Sequence, residues 1–251
     1  MSALLPPSQP GSPSTNGSAV EAAGVCRRYG RRWALIDVDV DVPRGSSLLV
    51  AGRNGSGKST LFRVLSTLLR ADHGTIRILG RDPARDLSRA RRHIALLSHY
   101  SNHYEALTAL ENLAVAARFL RRPSDRASLL PALDEVGLAD RADDPVATLS
   151  AGMRKRLTLA RTLLQAAAVV FLDEPYGQLD PPGFRLVDRT IENLKAGGTT
   201  VLIATHLLER GAALCERGIV LEAGRVAWSG AAPDLPRQGG LDAAAFPQGA
   251  A

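Results

Sequence analysis

The run Gly52-Arg53-Asn54-Gly55-Ser56-Gly57-Lys58-Ser59-Thr60 has the residue types and spacing to hold a phosphate chain. It fits the pattern G-x-x-x-x-G-K-[ST] of the phosphate-binding loop, or P-loop. Glycine is needed in such a loop because a side chain would block the approach of backbone N–H groups to phosphate oxygens. Lys58 supplies a compact positive charge for the β and γ phosphates, and the Ser59 hydroxyl can help hold Mg²⁺. Two carboxylates suit the same chemistry. Asp173 and Glu174 close the apolar run Val169-Val170-Phe171-Leu172. A carboxylate at the end of a buried strand is costly unless it meets a cation, so Asp173 is expected to hold Mg²⁺, directly or through water. Glu174 is the candidate general base that polarises an attacking water. Such a base contributes roughly 10²–10⁴-fold, while positioning and electrostatics carry most of a phosphoryl transfer.

These groups need elements to place them. Leu48-Leu49-Val50 reads as a buried strand before the loop, and apolar positions recur at helical spacing from Leu61 to Leu69. The loop is therefore expected between strand and helix, with the positive end of the helix facing the anion. Ser47 to Ala51, Val169 to Leu172 and Thr200 to Ala204 are continuous apolar runs, as in strands buried on both faces of a parallel sheet. From Leu35 to Val42 apolar and acidic residues alternate. This predicts a half-solvated antiparallel strand with Ile36, Val38, Val40 and Val42 on one face. Thr75 to Leu79 is a second short strand. Ile219 to Leu221 and Arg225 to Ala227 flank Glu222-Ala223-Gly224, which predicts a hairpin. Between about 104 and 145 the pattern turns helical, with Thr108 and Glu111 spaced as a capping box.

Composition narrows the class. At 251 residues with 45% hydrophobic content, the chain can bury a sizeable core. No stretch reaches the roughly 18 apolar residues of a membrane helix, and residues 1–19 carry neither the basic nor the apolar region of a signal peptide. The reading is a cytoplasmic protein that needs a spanning partner if it works at a membrane. Residues 1–19 and 231–251 read as flexible tails. The net charge of +6 comes almost wholly from arginine, in clusters such as Arg27, Arg28, Arg31 and Arg32. With 4% aromatic residues there are few stacking platforms, so solvated faces are expected and no nucleic acid. Cys26 and Cys215 are far apart and lack metal-ligand spacing.

Further pieces follow in order: Leu149-Ser150-Ala151-Gly152-Met153 opening a basic helix, Tyr176-Gly177-Gln178-Leu179-Asp180 after the carboxylates, and His206 after the apolar run Val201 to Ala204. With them the chain resembles the ATP-binding cassette (ABC) ATPase family over about residues 20–230. The resemblance implies an α/β P-loop NTPase cassette with a parallel core sheet, an antiparallel β subdomain and a small helical subdomain at about 100–160. It implies ATP and Mg²⁺ as cofactors, a second copy of the chain and an integral membrane permease as partners, and peripheral attachment to the cytoplasmic face of the membrane. Of the residues, it implies Tyr29 as the platform for adenine, His206 as the sensor of the γ-phosphate and Asp180 as the D-loop carboxylate. Ser150, Ala151, Gly152 and Met153 would form the signature, which faces ATP on the partner copy; Ala151 and Met153 depart from the usual Leu-Ser-Gly-Gly-Gln. His99 stands where the family usually has Gln. That histidine, the stretch to Leu113, the run Ser150 to Arg156 and Asp173-Glu174-Pro175-Tyr176 look like the haem exporter ATPases of cytochrome c maturation. The reading is thus an exporter ATPase with haem as cargo. The alternatives are a drug or glycan exporter subunit and, from another class, a soluble ABC ATPase with no transport role.

Overall fold

The computed structural model describes residues 17–98 and 103–236. The chain opens with the hairpin β1 (Ser18–Tyr29) and β2 (Arg32–Pro43). Strand β3 (Ser47–Ala51) leads through the P-loop into α1 (Lys58–Leu65), and β4 (His73–Ile78) returns to pair with β1. A short α2 (Leu87–Arg91) precedes β5 (Ile94–Leu97). Three helices follow, α3 (Ala109–Phe119), α4 (Arg126–Glu135) and α5 (Ala151–Leu163). The chain then alternates β6 (Val169–Asp173), α6 (Pro181–Ala196), β7 (Thr200–Ala204) and α7 (Leu208–Leu214), and ends in the hairpin β8 (Arg217–Glu222) and β9 (Arg225–Ala231). The outer strands thus overrun the limits 20 and 230 slightly. Residues 1–16 and 237–251, where most of both expected tails falls, lie outside the described residues.

The strands form two sheets. One is antiparallel, in the order β2-β1-β4; the other runs β5-β6-β7-β3-β8-β9. In the larger sheet β5 through β8 are parallel and β9 is an antiparallel edge. Every residue of β3, β6 and β7 is buried. Successive residues serve different cores. Leu49, Val170, Leu172, Val201 and Ile203 join the cluster with α3, α4, α5 and α6. Leu48, Val50, Val169, Phe171, Leu202 and Ala204 join the cluster with α1 and the antiparallel sheet. A strand with a core on each side has no polar face, which is why these segments read as uninterrupted apolar runs. In the second core Phe62 of α1 meets Phe171 edge-on, with centroids 5.4 Å apart.

The alternation in β2 holds only in part. Val38, Val40 and Val42 are buried, but Leu35, not Ile36, continues the inward face. Asp37 has φ of 52°, and the pairing with β1 slips between Val25 and Arg27, so the strand is bulged. A one-residue bulge moves the remaining side chains to the opposite face.

The helical region is pinned by polar contacts. Thr108 accepts from Glu111 N at 3.1 Å, and the Glu111 carboxylate accepts from Thr108 N at 2.8 Å, completing the capping box. Buried Asn112 accepts from Tyr104 N and donates to the carbonyls of Tyr104 and Thr108.

The bulge leads to a direct test. Leu35→Ala removes fully buried methyl groups and should lower stability by about 2–5 kcal/mol. Ile36→Ala, at a half-buried site, should cost clearly less. Urea unfolding of both variants distinguishes this from uninterrupted alternation, which predicts the reverse order.

Candidate active site

The P-loop packs too tightly to admit side chains at two of its glycines. A Cβ at Gly52 would lie 2.4 Å from the Leu221 carbonyl, and one at Gly57 would lie 2.6 Å from the Ala34 carbonyl. Both glycines also have positive φ, at 142° and 113°. Arg53, Asn54 and Gly55 at the crest are exposed, while Ser56 and Lys58 are buried. The ammonium of Lys58 donates to the Gly52 carbonyl at 2.7 Å and the Arg53 carbonyl at 3.1 Å. Burial lowers its pKa, and the charges of Glu174 and Asp173 oppose that shift. The Ser56 hydroxyl is buried without a hydrogen-bond partner. Leu61 N makes the first bond of α1, to Gly57 O at 2.8 Å, so the N–H groups of Ser59 and Thr60 stand at the open helix end. A shallow cleft of about 210 Å³ lies between residues 52–56 and the end of β8 with its turn, residues 220–223, apart from the carboxylates.

The carboxylates arrive from β6, two strands away from β3 in the sheet. Asp173 is 3% exposed, and its Oδ1 accepts from Ser59 Oγ at 3.1 Å. Burial raises its pKa. The Ser59 bond lowers it, Glu174 raises it, and Arg63 and Lys155 lower it. Glu174 has φ of 48°, which ends the strand. Its N–H still bonds the Ala204 carbonyl of β7 at 2.8 Å, so the parallel register sets it beside Thr205 and His206. His206 Nδ1 lies 2.9 Å from Glu174 Oε2, and Thr205 Oγ1 donates to the same oxygen at 3.4 Å. An ionised carboxylate only accepts, so the His206 proton in this contact sits on Nδ1 and leaves Nε2 free to face a ligand. Among the described residues no three His, Cys, Asp or Glu side chains cluster as metal ligands. Ser59 and Asp173 still fit Mg²⁺, which takes one or two carboxylates together with phosphate oxygens and water.

The other expected site residues are placed as follows. Tyr29 ends β1 and is 46% exposed, with the Arg27 guanidinium 5.3 Å from its ring centroid. It lies at the tip of the hairpin whose Ala34 and Leu35 abut Gly57. Ser150 caps α5 by accepting from Met153 N at 3.2 Å, and both Ser150 and Ala151 are exposed. Gly152 faces the Gln178 carbonyl, 3.0 Å from where a Cβ would stand, so the signature touches the D-loop of its own chain. Among the described contacts none joins residues 150–153 to residues 52–60. Asp180 caps α6 through Gly183 N at 2.9 Å. His99 lies outside the described residues. Sequence reasoning missed Thr205. Thr205 could have been noticed as the polar step between Ala204 and His206.

With this geometry in view, the comparisons are direct. Residues 35–177 match the model of the ABC transporter family. The chain belongs to that family: it is an ABC ATP-binding domain, and such cassettes hydrolyse ATP for transport. It is 41% identical over 229 residues to the daunorubicin resistance ATP-binding protein DrrA3 of Streptomyces coeruleorubidus, covering 90% of this chain and 72% of that one. It is 36% identical over 209 residues to the Nod factor export ATP-binding protein I of Rhizobium johnstonii, covering 82% of this chain and 67% of that one. Against the daunorubicin/doxorubicin resistance protein DrrA of Streptomyces peucetius it is 37% identical and spans 66% of that chain's length. Among solved structures, an ATP-binding subunit of an ABC transporter superposes with a TM-score of 0.79 at 29% identity, covering 89% of this chain and 94% of that one. A dimeric cassette in a post-hydrolysis state with ADP and Pi gives 0.78 at 25% identity, covering 85% and 98%. These relatives are named for daunorubicin resistance and Nod factor export, so the haem exporter subfamily expected from a few substitutions is set aside.

Two outcomes follow. Glu174→Gln should keep nucleotide affinity and slow hydrolysis by roughly 10²–10⁴-fold, whereas Lys58→Ala should abolish turnover; ATPase rates and nucleotide titrations read both. Asp173 gives a stability test. Its folded pKa is raised, so it favours folding below the unfolded carboxylate pKa and loses that contribution as pH rises through the folded value. At neutral pH without nucleotide, Asp173→Asn should therefore melt no lower than wild type while losing Mg²⁺-dependent activity. Thermal melts from pH 4 to 8 check the sign.

Proposed function

We propose that this chain is the ATP-hydrolysing subunit of an exporter of small molecules, a drug or a glycan, and that it works as a pair beside a separate membrane permease. The observation that carries the cargo class is the 41% and 36% identity, over most of the chain, to daunorubicin resistance and Nod factor export proteins. No helix among the described residues is long and apolar enough to cross a membrane. The permease would supply the path, and the chain would sit peripherally at the cytoplasmic face. Residues 20–230 would be the cassette.

MgATP, when bound, brings the scissile phosphoryl group and the divalent charge. The N–H groups of residues 52–60 and Lys58 would hold the phosphates, Ser59 and Asp173 the ion, and Tyr29 one face of the adenine. Glu174 would take a proton from the attacking water. His206 and Thr205 hold its Oε2, so the carboxylate cannot swing away. In the partner copy the open N-terminus of α5, with Ser150, Ala151, Gly152 and Met153, would close the site. Asp180 would keep its cap on α6 and so hold the D-loop beside that signature.

Two experiments test this reading. Glu174→Gln should dimerise with MgATP and separate without it, as seen by light scattering; a strict monomer at saturating nucleotide would count against the composite site. Co-expression with a cognate permease should raise daunorubicin resistance of a sensitive host several-fold, and Lys58→Ala should abolish that gain. No gain, together with loss of c-type cytochromes on deletion, would return haem as the cargo.

A further inference from the structure

We propose that Tyr176, Asp188 and Arg210 form a positioning cluster for ATP hydrolysis: the Asp188 carboxylate on α6 ties the chain that leaves Glu174 to the helix that follows His206, and so fixes the contact between Glu174 and His206. Two paths lead away from that contact. One is the chain itself, which turns at Glu174 and carries Tyr176 into the core. Gly177 N closes this turn on the Glu174 carbonyl at 3.2 Å, so Tyr176 and Glu174 move together. The other path runs from His206 through Leu207 into α7, which carries Arg210. Both paths end on Asp188. The Tyr176 hydroxyl donates to Oδ1 at 2.9 Å, and the Arg210 guanidinium pairs with Oδ2. Each element thus has its own oxygen, and neither bond displaces the other.

Aromatic rings complete the cluster. Phe184 precedes Asp188 by four residues on α6, so the two share a helix face. Its ring meets that of Tyr176 edge-on, with centroids 5.5 Å apart. The Arg210 guanidinium lies 5.3 Å from the Phe184 centroid and 5.6 Å from that of Tyr176. Arg210 is therefore held by a carboxylate and two rings, unlike a lone surface ion pair, which fixes little. Helix α7 depends on such anchoring. It has seven residues and no side-chain cap at its N-terminus, and a helix that short owes its place to tertiary contacts. Among the described contacts the His206 ring has one polar partner, Glu174 Oε2 at 2.9 Å. Where α7 sits therefore decides whether that contact is made, and a small misplacement of a catalytic group is costly in rate.

The proposal rests on Glu174 as the base, which Glu174→Gln, assayed alongside, tests separately. Tyr176→Phe removes one hydroxyl and keeps the ring; Arg210→Met removes the charge and keeps most of the stem; Arg210→Lys keeps the charge. These variants, and the double variant Tyr176→Phe with Arg210→Met, are compared with wild type in the full chain for kcat, KM for MgATP and Tm. Tyr176→Phe and Arg210→Met should each lower kcat about threefold to tenfold, the net worth of one hydrogen bond, and leave KM within about twofold. Arg210→Lys should recover at least about half of the lost rate. The double variant should be no slower than the slower single one, because both bonds act through one carboxylate. Wild-type kcat in both single variants, with Glu174→Gln inactive, overturns this proposal alone; full activity in Glu174→Gln overturns the reading beneath it as well. A rise in KM without a fall in kcat would mark a nucleotide contact, and multiplied effects in the double variant would mark separate roles; either overturns the proposal. So does a fall in kcat that vanishes once rates are corrected for the folded fraction, which would mark stability.

Discussion

Opposed charges are buried together at the carboxyl edge of the parallel sheet. Asp173 and Glu174 stand there within the field of Lys58, Arg63 and Lys155. None of these groups could be buried alone at tolerable cost. Their meeting requires β3, β6 and β7 to end at the same level, and the register of β6 with β7 secures this by setting Asp173 opposite Ala204. Because both faces of these strands are covered by apolar cores, polar function is confined to the strand ends. The P-loop, the carboxylates and His206 follow β3, β6 and β7, neighbours in the sheet, in the place where open α/β sheets bind ligands.

The protein by itself leaves three groups of the site poorly satisfied. Asp173 is pushed toward its neutral form, Lys58 toward losing its proton, and a buried Ser56 hydroxyl has no partner. An anionic phosphate chain with a divalent ion would answer all three, so nucleotide binding should also stabilise the fold. The helical region is tied to α5 by polar contacts. His103, whose Nε2 lies 3.0 Å from both the Arg154 carbonyl and Thr158 Oγ1, and Asn112, which holds the backbone of Tyr104, fix the segment entering α3 against α5.

Cargo is recorded differently from chemistry. The chemical residues are few and strongly constrained, so short motifs reveal them. The subfamily rested on small departures such as Met153 and Tyr176, which sit in the protein for packing reasons as well. Met153 packs against the core beneath the signature. Tyr176 is buried and donates to Asp188 at 2.9 Å, and Asp188 also pairs with Arg210. Such residues adapt to neighbouring helices whatever is transported. Identity summed over some 229 residues weighs many more positions, and at that level the chain resembles daunorubicin resistance and Nod factor export ATP-binding proteins.

Much of the fold was legible in the chain itself because its signals are local. The P-loop glycines, the three apolar runs, the Thr108–Glu111 capping box and the turn at Ala223-Gly224 each depend on a few adjacent residues. The positive φ of both turn residues, 46° and 80°, agrees with the expected hairpin. Tertiary structure alone decided the rest. The bulge at Asp37 switched the inward face of β2 ahead of it, from Ile36 to Leu35, since register is settled by the partner strand. Thr205 came to the catalytic carboxylate, and Gly152 to the D-loop, through contacts between elements distant in sequence. Lys155, one of the charges in a basic helix expected to be solvated, is buried, because a side chain's exposure is set by packing and not by its place in the chain.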